Sequence, residues 1–70
     1  MDVDLPNRLR NKRLISGLTV YQLAIRIGVR EQTIRRWECG QHNPDVLTAQ
    51  RLAKILNSSI DEIWPIDKDT

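Results

Sequence analysis

The chain has 70 residues, a formal net charge of +2, one cysteine and one histidine. This length fits one small domain with a modest core, so we expect a single domain over 1–70, ordered over about 5–65. One cysteine and one histidine exclude a disulfide framework and a four-ligand zinc site. No apolar run approaches the ~20 residues of a membrane span, and the first residues do not resemble a secretory signal.

The charges divide the chain into a basic segment and acidic flanks. Residues 8–36 hold eight basic side chains and one acid, Glu31, for a net charge of +7, whereas residues 1–7 and 37–70 carry −2 and −3. Such a division is typical of a protein that meets phosphate groups on one side. On charge alone, an ordinary solvated surface explains the pattern equally well.

Helical periodicity without strand alternation predicts five α-helices. The first is expected from Pro6 to Ser16, because proline suits a first helical turn and Gly17 suits a helix end. Its inward residues are expected to be Leu5, Leu9 and Leu14.

The second and third helices are short and separated by a tight turn. Thr19 and Gln22 form a Thr-x-x-Gln capping box at the start of the second helix, and Gly28 ends it. The third helix is expected from Glu31 to Cys39, with Gly40 as its stop.

The fourth helix follows Pro44 and Asp45, and a left-handed cap is expected at Asn57. Its apolar stripe comprises Val46, Ala49, Leu52, Ala53 and Leu56. Ser59 and Glu62 form a second capping box, which opens a brief fifth helix that stops at Pro65. We expect Ile63 and Trp64 to cover the core, with a dimer contact as the alternative role for one of them.

Residues 20–39 have the spacing of two helices that cross at close range. Ala24 must be small where the helices touch, and Gly28 takes a backbone conformation that is costly for other residues. Val29, Ile34 and Trp37 fill the space between the helices. The set predicts a helix-turn-helix motif, with an unrelated helical bundle as the alternative.

The outer face of the third helix is polar and basic. At 100° per residue, Ile34 and Trp37 point to the core, whereas the opposite face holds Gln32, Arg36 and Cys39, flanked by Arg35 and Thr33. Arginine pairs with guanine and glutamine with adenine in the major groove of DNA. The expected base contacts are therefore Gln32, Arg36, Glu31 and Thr33, and the expected phosphate contacts are Arg10, Arg30, Arg35 and Gln22.

Two side chains on this helix have an alternative explanation. Glu31 either stabilises the positive end of the helix or accepts a hydrogen bond from a cytosine amine. The first role is favoured, because an acid near phosphates must find a compensating partner. Cys39 is most simply a small exposed side chain, with a redox-sensing thiol as the alternative, and His42 is expected in a solvated loop.

Several segments resemble the XRE group of helix-turn-helix proteins, which includes the DNA-binding domains of phage repressors and Cro proteins. They are Lys-Arg-Leu-Ile-Ser-Gly-Leu-Thr, Gln-Leu-Ala, Gly-Val, Thr-Ile-Arg-Arg-Trp-Glu-Cys-Gly and Pro-Asp-Val-Leu-Thr-Ala, and the match covers about residues 8–64. The resemblance implies an all-α, five-helix fold, with the third helix as the recognition helix.

The resemblance also assigns residue roles. Arg13 and Glu38 occupy positions where relatives have a partly buried ion pair between the first and third helices. Val20 replaces a glutamine that contacts DNA in relatives, so no such contact passes to Val20. Arg30 replaces the usual serine or threonine cap, which weakens the cap by about 1 kcal/mol but adds a cation.

These observations predict sequence-specific binding of double-stranded DNA by a transcriptional regulator, in the cytoplasm of a bacterium or encoded by a phage or mobile element. We expect neither an enzyme nor a cofactor, because no second acid, metal ligand or activated nucleophile accompanies any candidate group. One recognition helix touches only about four base pairs, so a weak homodimer assembled on a palindromic operator is expected. The alternative is a protein-interaction module, such as an antitoxin that neutralises a toxin, with secondary DNA binding.

Overall fold

A computed structural model describes residues 6–65, which contain five α-helices and no strand. The helices are α1 (Leu9–Ile15), α2 (Val20–Ile27), α3 (Glu31–Glu38), α4 (Val46–Ile55) and α5 (Ile60–Ile63). The predicted all-α, five-helix fold is therefore confirmed. Leu5, which was expected to face the core, lies outside the described residues.

Helix α1 begins three residues later than predicted, and the side chain of Asn7 gives the reason. Its Oδ1 accepts a hydrogen bond from the Leu9 N–H at 3.0 Å, and its Nδ2 donates to the Trp37 carbonyl oxygen at 2.8 Å. An asparagine that bonds the backbone two residues ahead offers the chain an alternative to a helix. The predicted start at Pro6 is therefore wrong, and the buried Asn7 instead ties the entry of α1 to α3.

The remaining helix ends follow from local sequence. Both capping boxes, Thr19–Gln22 and Ser59–Glu62, are present. Asn57 adopts the predicted left-handed conformation, with φ of +53°. Helix α3 ends at Glu38 with Cys39 as its C-cap, one residue earlier than predicted.

Two carboxylates at these ends are stabilised in their charged form. Hydrogen bonds from Thr48 to the Asp45 cap of α4 hold the pKa of that carboxyl below its ordinary value. The pKa of Glu62 is lowered as well, first because its carboxylate accepts from the Ser59 N–H at 2.7 Å and then because Lys12 lies near. Ionisation of each carboxylate therefore adds to the stability of the folded chain, and this contribution is lost when the group is protonated.

Each helix contributes one of the five fully buried large side chains, namely Leu9, Leu23, Ile34, Leu52 and Ile63. Full burial of such a side chain contributes about 1.5–3 kcal/mol, so this single cluster holds the short helices together. Ile63 lies in the core and Trp64 packs against it half-buried, as predicted.

Two apolar residues predicted to face the core lie at the surface instead. Leu14 is 56% exposed because Arg13, its neighbour on α1, points inward in its place. Val46 is 70% exposed, since it occupies the first position of α4, while the stripe from Ala49 onward packs inside. Within residues 6–65, no helix has the length and apolar character to cross a membrane.

Candidate nucleic-acid interface

The turn between α2 and α3 sets the angle at which α3 leaves the core. Gly28 has φ of +89°, and both its N–H and that of Val29 donate to the Ala24 carbonyl oxygen, at 2.8 and 3.0 Å. A Cβ added at Gly28 would meet no atom within 4 Å. The left-handed backbone, and not lack of space, therefore requires glycine here. Ala24, 3% exposed, lies where a small residue was predicted.

Helix α3 has one buried side and one exposed side. Ile34 and Trp37 are buried, whereas the exposed side chains are Gln32, Arg35, Arg36 and Cys39. Glu31 and Thr33 lie half-buried between the two sides. The exposed set agrees with the outer face predicted from helical periodicity. It places two arginines and one glutamine on one surface.

Arg13 and Glu38 form the ion pair that the family resemblance implied. The Arg13 Nε lies 2.7 Å from Glu38 Oε2, and the two side chains are only 8% and 12% exposed. The Arg13 Nη1 also donates to the Leu18 carbonyl oxygen at 2.9 Å. The guanidinium thus links α1, the loop before α2 and the end of α3, and it fixes the orientation of α3 on the core.

A groove of about 360 Å³ lies between α1, the start of α2 and α3. It is lined by Arg10, Arg13, Val20, Arg35, Glu38 and Cys39. The structure thereby brings two of the predicted phosphate contacts, Arg10 and Arg35, to one groove. The other two, Arg30 and Gln22, do not line it. Both are exposed, Arg30 just before α3 and Gln22 on α2.

The remaining predicted residues differ in their local hydrogen bonding. Arg30 precedes α3 in an extended conformation and makes no side-chain cap, as expected from its replacement of serine or threonine. The Gln22 Oε1 accepts from the Thr19 N–H at 2.9 Å, so its oxygen serves the capping box. The Cys39 Sγ donates to the Arg35 carbonyl oxygen within α3.

A second ion pair on α3 was not anticipated from the sequence. The Arg35 Nη2 lies 3.4 Å from Glu31 Oε1, with the two side chains 56% and 42% exposed. The signal was present, since an acid four residues before an arginine favours such a pair on a helix. Within residues 6–65, this pair and the Arg13–Glu38 pair are the two salt bridges found.

Two short helices joined through a left-handed glycine, the second with a basic outer face, define a helix-turn-helix DNA-binding fold. A family model described as "Helix-turn-helix" matches residues 9–63. The chain therefore belongs to the helix-turn-helix family, and its type is that of the XRE regulators.

Individual relatives agree with this assignment. An uncharacterised HTH-type transcriptional regulator of Methanothermobacter thermautotrophicus is 39% identical over 62 residues, which cover 87% of this chain and 90% of the relative. The restriction-modification controller protein C.AhdI from Aeromonas hydrophila superposes with a TM-score of 0.70 at 31% identity, over 79% of this chain and 83% of that one. SinR, a master regulator for biofilm formation solved in complex with DNA, superposes with a TM-score of 0.68 at 22% identity, over 76% of this chain and 86% of that one. This similarity shows a likeness of fold alone.

Proposed function

We propose that this protein regulates transcription by binding double-stranded DNA, with α3 in the major groove. The observation that carries the proposal is the two-sided construction of α3. Its inner side is buried and joined to α1 by the Arg13–Glu38 pair, while its outer side exposes Gln32, Arg35 and Arg36. A rigidly held helix with exposed arginine and glutamine has the geometry and the chemistry to contact base edges.

Within this proposal, Gln32 and Arg36 contact bases, with Thr33 at the edge of the contact. Gln32 points away from the core, and Arg36 has no side-chain partner in the part of the chain that the structure describes. Its guanidinium can therefore pair with the O6 and N7 atoms of a guanine. Glu31, the remaining predicted base contact, is half-buried and paired with Arg35, so its carboxylate is not free for a base.

Arg10 and Arg35 bind phosphate from the groove that they share, and Arg30 binds phosphate at the start of α3. Phosphate contacts position a protein on the duplex without selecting a sequence. Gln22 retains its NH₂ group for a phosphate contact, since the capping box uses only its oxygen. Together these groups would form a phosphate-binding rim around the base-contacting residues.

The operator is proposed to be palindromic, bound by two copies of the chain. The candidate contact between copies is an apolar groove of about 360 Å³, lined by Asn43, Pro44, Val46, Ala49, Ile60 and Trp64. Val46 and its neighbour Leu47 are 70% and 66% exposed. The patch is small, which favours association on DNA over a stable free dimer.

The alternative left open by the sequence, a protein-interaction module such as an antitoxin, is not favoured. The curated relatives are described as transcriptional regulators, and a module that binds only proteins has little use for two adjacent arginines on an exposed helix face. The family is likewise one of DNA-binding regulators and not of enzymes.

Selection from a pool of randomised duplexes tests the proposal. The duplexes retained by the protein should share one motif with two half-sites about 34 Å apart, one turn of DNA. Sedimentation with and without the selected duplex should show a monomer alone and a two-to-one complex on DNA. A pool that stays random after repeated rounds would contradict DNA sequence recognition. A one-to-one complex on an asymmetric site would contradict only the dimer.

A further inference from the structure

We propose that Glu31 is a positioning residue that limits binding to incorrect DNA sequences by holding the guanidinium of Arg35. This inference rests on the proposed function, because it concerns the same surface of α3. It differs from the two roles considered from sequence, since Glu31 neither contacts a base nor serves only the helix end.

The geometry places an acid inside the most basic part of the chain. Glu31 is the one acidic residue among residues 8–36, and its carboxylate oxygen lies 3.4 Å from Arg35 Nη2. Arg35 also lines the groove that contains Arg10, where phosphate binding is proposed. Glu31 and a DNA phosphate are therefore two acceptors for one guanidinium.

The pair restricts the direction in which Arg35 can donate. A guanidinium carries five N–H donors in a planar fork, and Glu31 approaches that fork at one nitrogen, Nη2. The other donors can still reach a phosphate, but only one that lies in the direction fixed by the pair. In the correct register on the operator, such a phosphate is available without separating Arg35 from Glu31.

Binding to random sequences depends on basic side chains that are free to move toward phosphates, and the pair with Glu31 limits this movement for Arg35. Non-specific binding comes almost entirely from basic side chains that find phosphates wherever they lie. An arginine held by an acid within its own helix contributes less to such binding than a free one does. Glu31 therefore weakens binding to random DNA more than binding to the operator, which raises the ratio between them.

The test uses two duplexes of equal length, the one enriched by selection and one of scrambled sequence. Glu31→Gln should raise the affinity for the scrambled duplex about two- to fivefold, the range expected for an exposed ion pair. The slope of log K against log salt on this duplex should steepen by about 0.9, the value for one additional phosphate contact. The affinity for the selected duplex should change less, so the ratio between the two duplexes should fall.

Two further comparisons make the outcome decisive. In an Arg35→Gln background, Glu31→Gln should no longer change the ratio, because the residue that Glu31 holds is absent. Asp61→Asn is the matched control, since Asp61 is also an exposed acid in the first turn of a helix but lies on α5, outside the candidate interface. This control should leave both affinities unchanged, and melting curves should verify that every variant is folded.

Three results would overturn the inference. The first is an equal rise in the affinity of Glu31→Gln for both duplexes, which would indicate simple charge repulsion between Glu31 and DNA. The second is an effect of Glu31→Gln that persists without Arg35. The third is a changed base at one position of the selected motif, which would make Glu31 a base contact. If the wild-type chain preferred no sequence at all, the proposed function would fail together with this inference, and that outcome is distinct from the other three.

Discussion

The two sides of α3 carry similar residue types in different surroundings. Each side has one glutamate paired with one arginine. Glu38 pairs with Arg13 at 2.7 Å, and both side chains are about nine-tenths buried, whereas Glu31 pairs with Arg35 at 3.4 Å with both side chains about half exposed. The two pairs have the same charges and differ in burial. The buried Arg13–Glu38 pair therefore stabilises the fold, whereas the exposed Glu31–Arg35 pair acts at the surface. Inner-side substitutions should change stability, and outer-side substitutions should change DNA binding.

The largest expected effect is on the inner side. Glu38→Gln should lower the free energy of unfolding by about 3–5 kcal/mol, because it leaves the buried Arg13 guanidinium without its counter-charge. Urea denaturation measures this difference. Glu31→Gln is the matched control on the outer side and should cost less than about 1 kcal/mol. Equal denaturation midpoints for the two variants would remove the distinction between the two sides.

The next effect is on binding at the outer side. Arg36→Ala should weaken binding to the selected duplex by about 1–3 kcal/mol and leave binding to scrambled duplexes nearly unchanged. Arg35→Ala should weaken binding to the selected duplex and reduce the salt slope on that duplex by about 0.9, with a smaller loss on scrambled duplexes, where Glu31 already holds the guanidinium. Fluorescence anisotropy titrations at several salt concentrations distinguish the two patterns. Identical behaviour of the two variants would contradict the division into base and phosphate contacts.

A smaller effect is expected where the chain leaves α3. Gly40 has φ of +79°, and a Cβ there would lie 2.6 Å from Pro6 Cγ, whereas Gly17, with φ of +74°, would meet no atom within 4 Å. Gly17→Ala should cost about 1–2 kcal/mol for the left-handed backbone alone. Gly40→Ala should cost more, because the Pro6 ring must also move. Thermal unfolding of the two variants tests this order, and a larger loss for Gly17→Ala would contradict the described packing.

The smallest effect concerns pH and lies away from α3. The pKa of Asp45 is lower in the folded chain than its ordinary value, so its cap adds stability above that ordinary value and loses it as the pH falls through the folded-state pKa. Asp45→Ala should therefore lower the melting temperature at neutral pH. The difference from wild type should shrink below about pH 4. A difference that stays constant from pH 7 to pH 2 would show that the carboxylate charge plays no part in the cap.

Local features of the fold could be predicted from sequence, and the structure explains why. Thr19 with Gln22, Ser59 with Glu62, Gly28 and Asn57 each act through backbone groups within a few residues. Their partners are therefore present in the same short segment. The outer face of α3 was predictable for a related reason, since helical periodicity alone assigns which side chains oppose Ile34 and Trp37.

Features that depend on distant partners could not be derived in this way. The start of α1 was misplaced because Asn7 bonds to Trp37, 30 residues away. Leu14 was predicted to face the core because helical periodicity does not show that the neighbouring Arg13 is buried instead. Arg13 is buried because it pairs with Glu38 on α3. The groove shared by Arg10 and Arg35 likewise depends on how α1 packs against α3. The Arg13–Glu38 pair was anticipated only through family resemblance.

If the outer face of α3 selects the DNA sequence, changing a side chain on that face should change the selected motif. Selections from one randomised pool should be run in parallel with the wild-type chain, Gln32→Ala, Arg36→Ala and, as a surface control on α4, Lys54→Ala. Each α3 variant should lose its preference at its own base pair, while Lys54→Ala should return the wild-type motif. The same motif from all four proteins would contradict the claim and would place sequence selection elsewhere on the molecule.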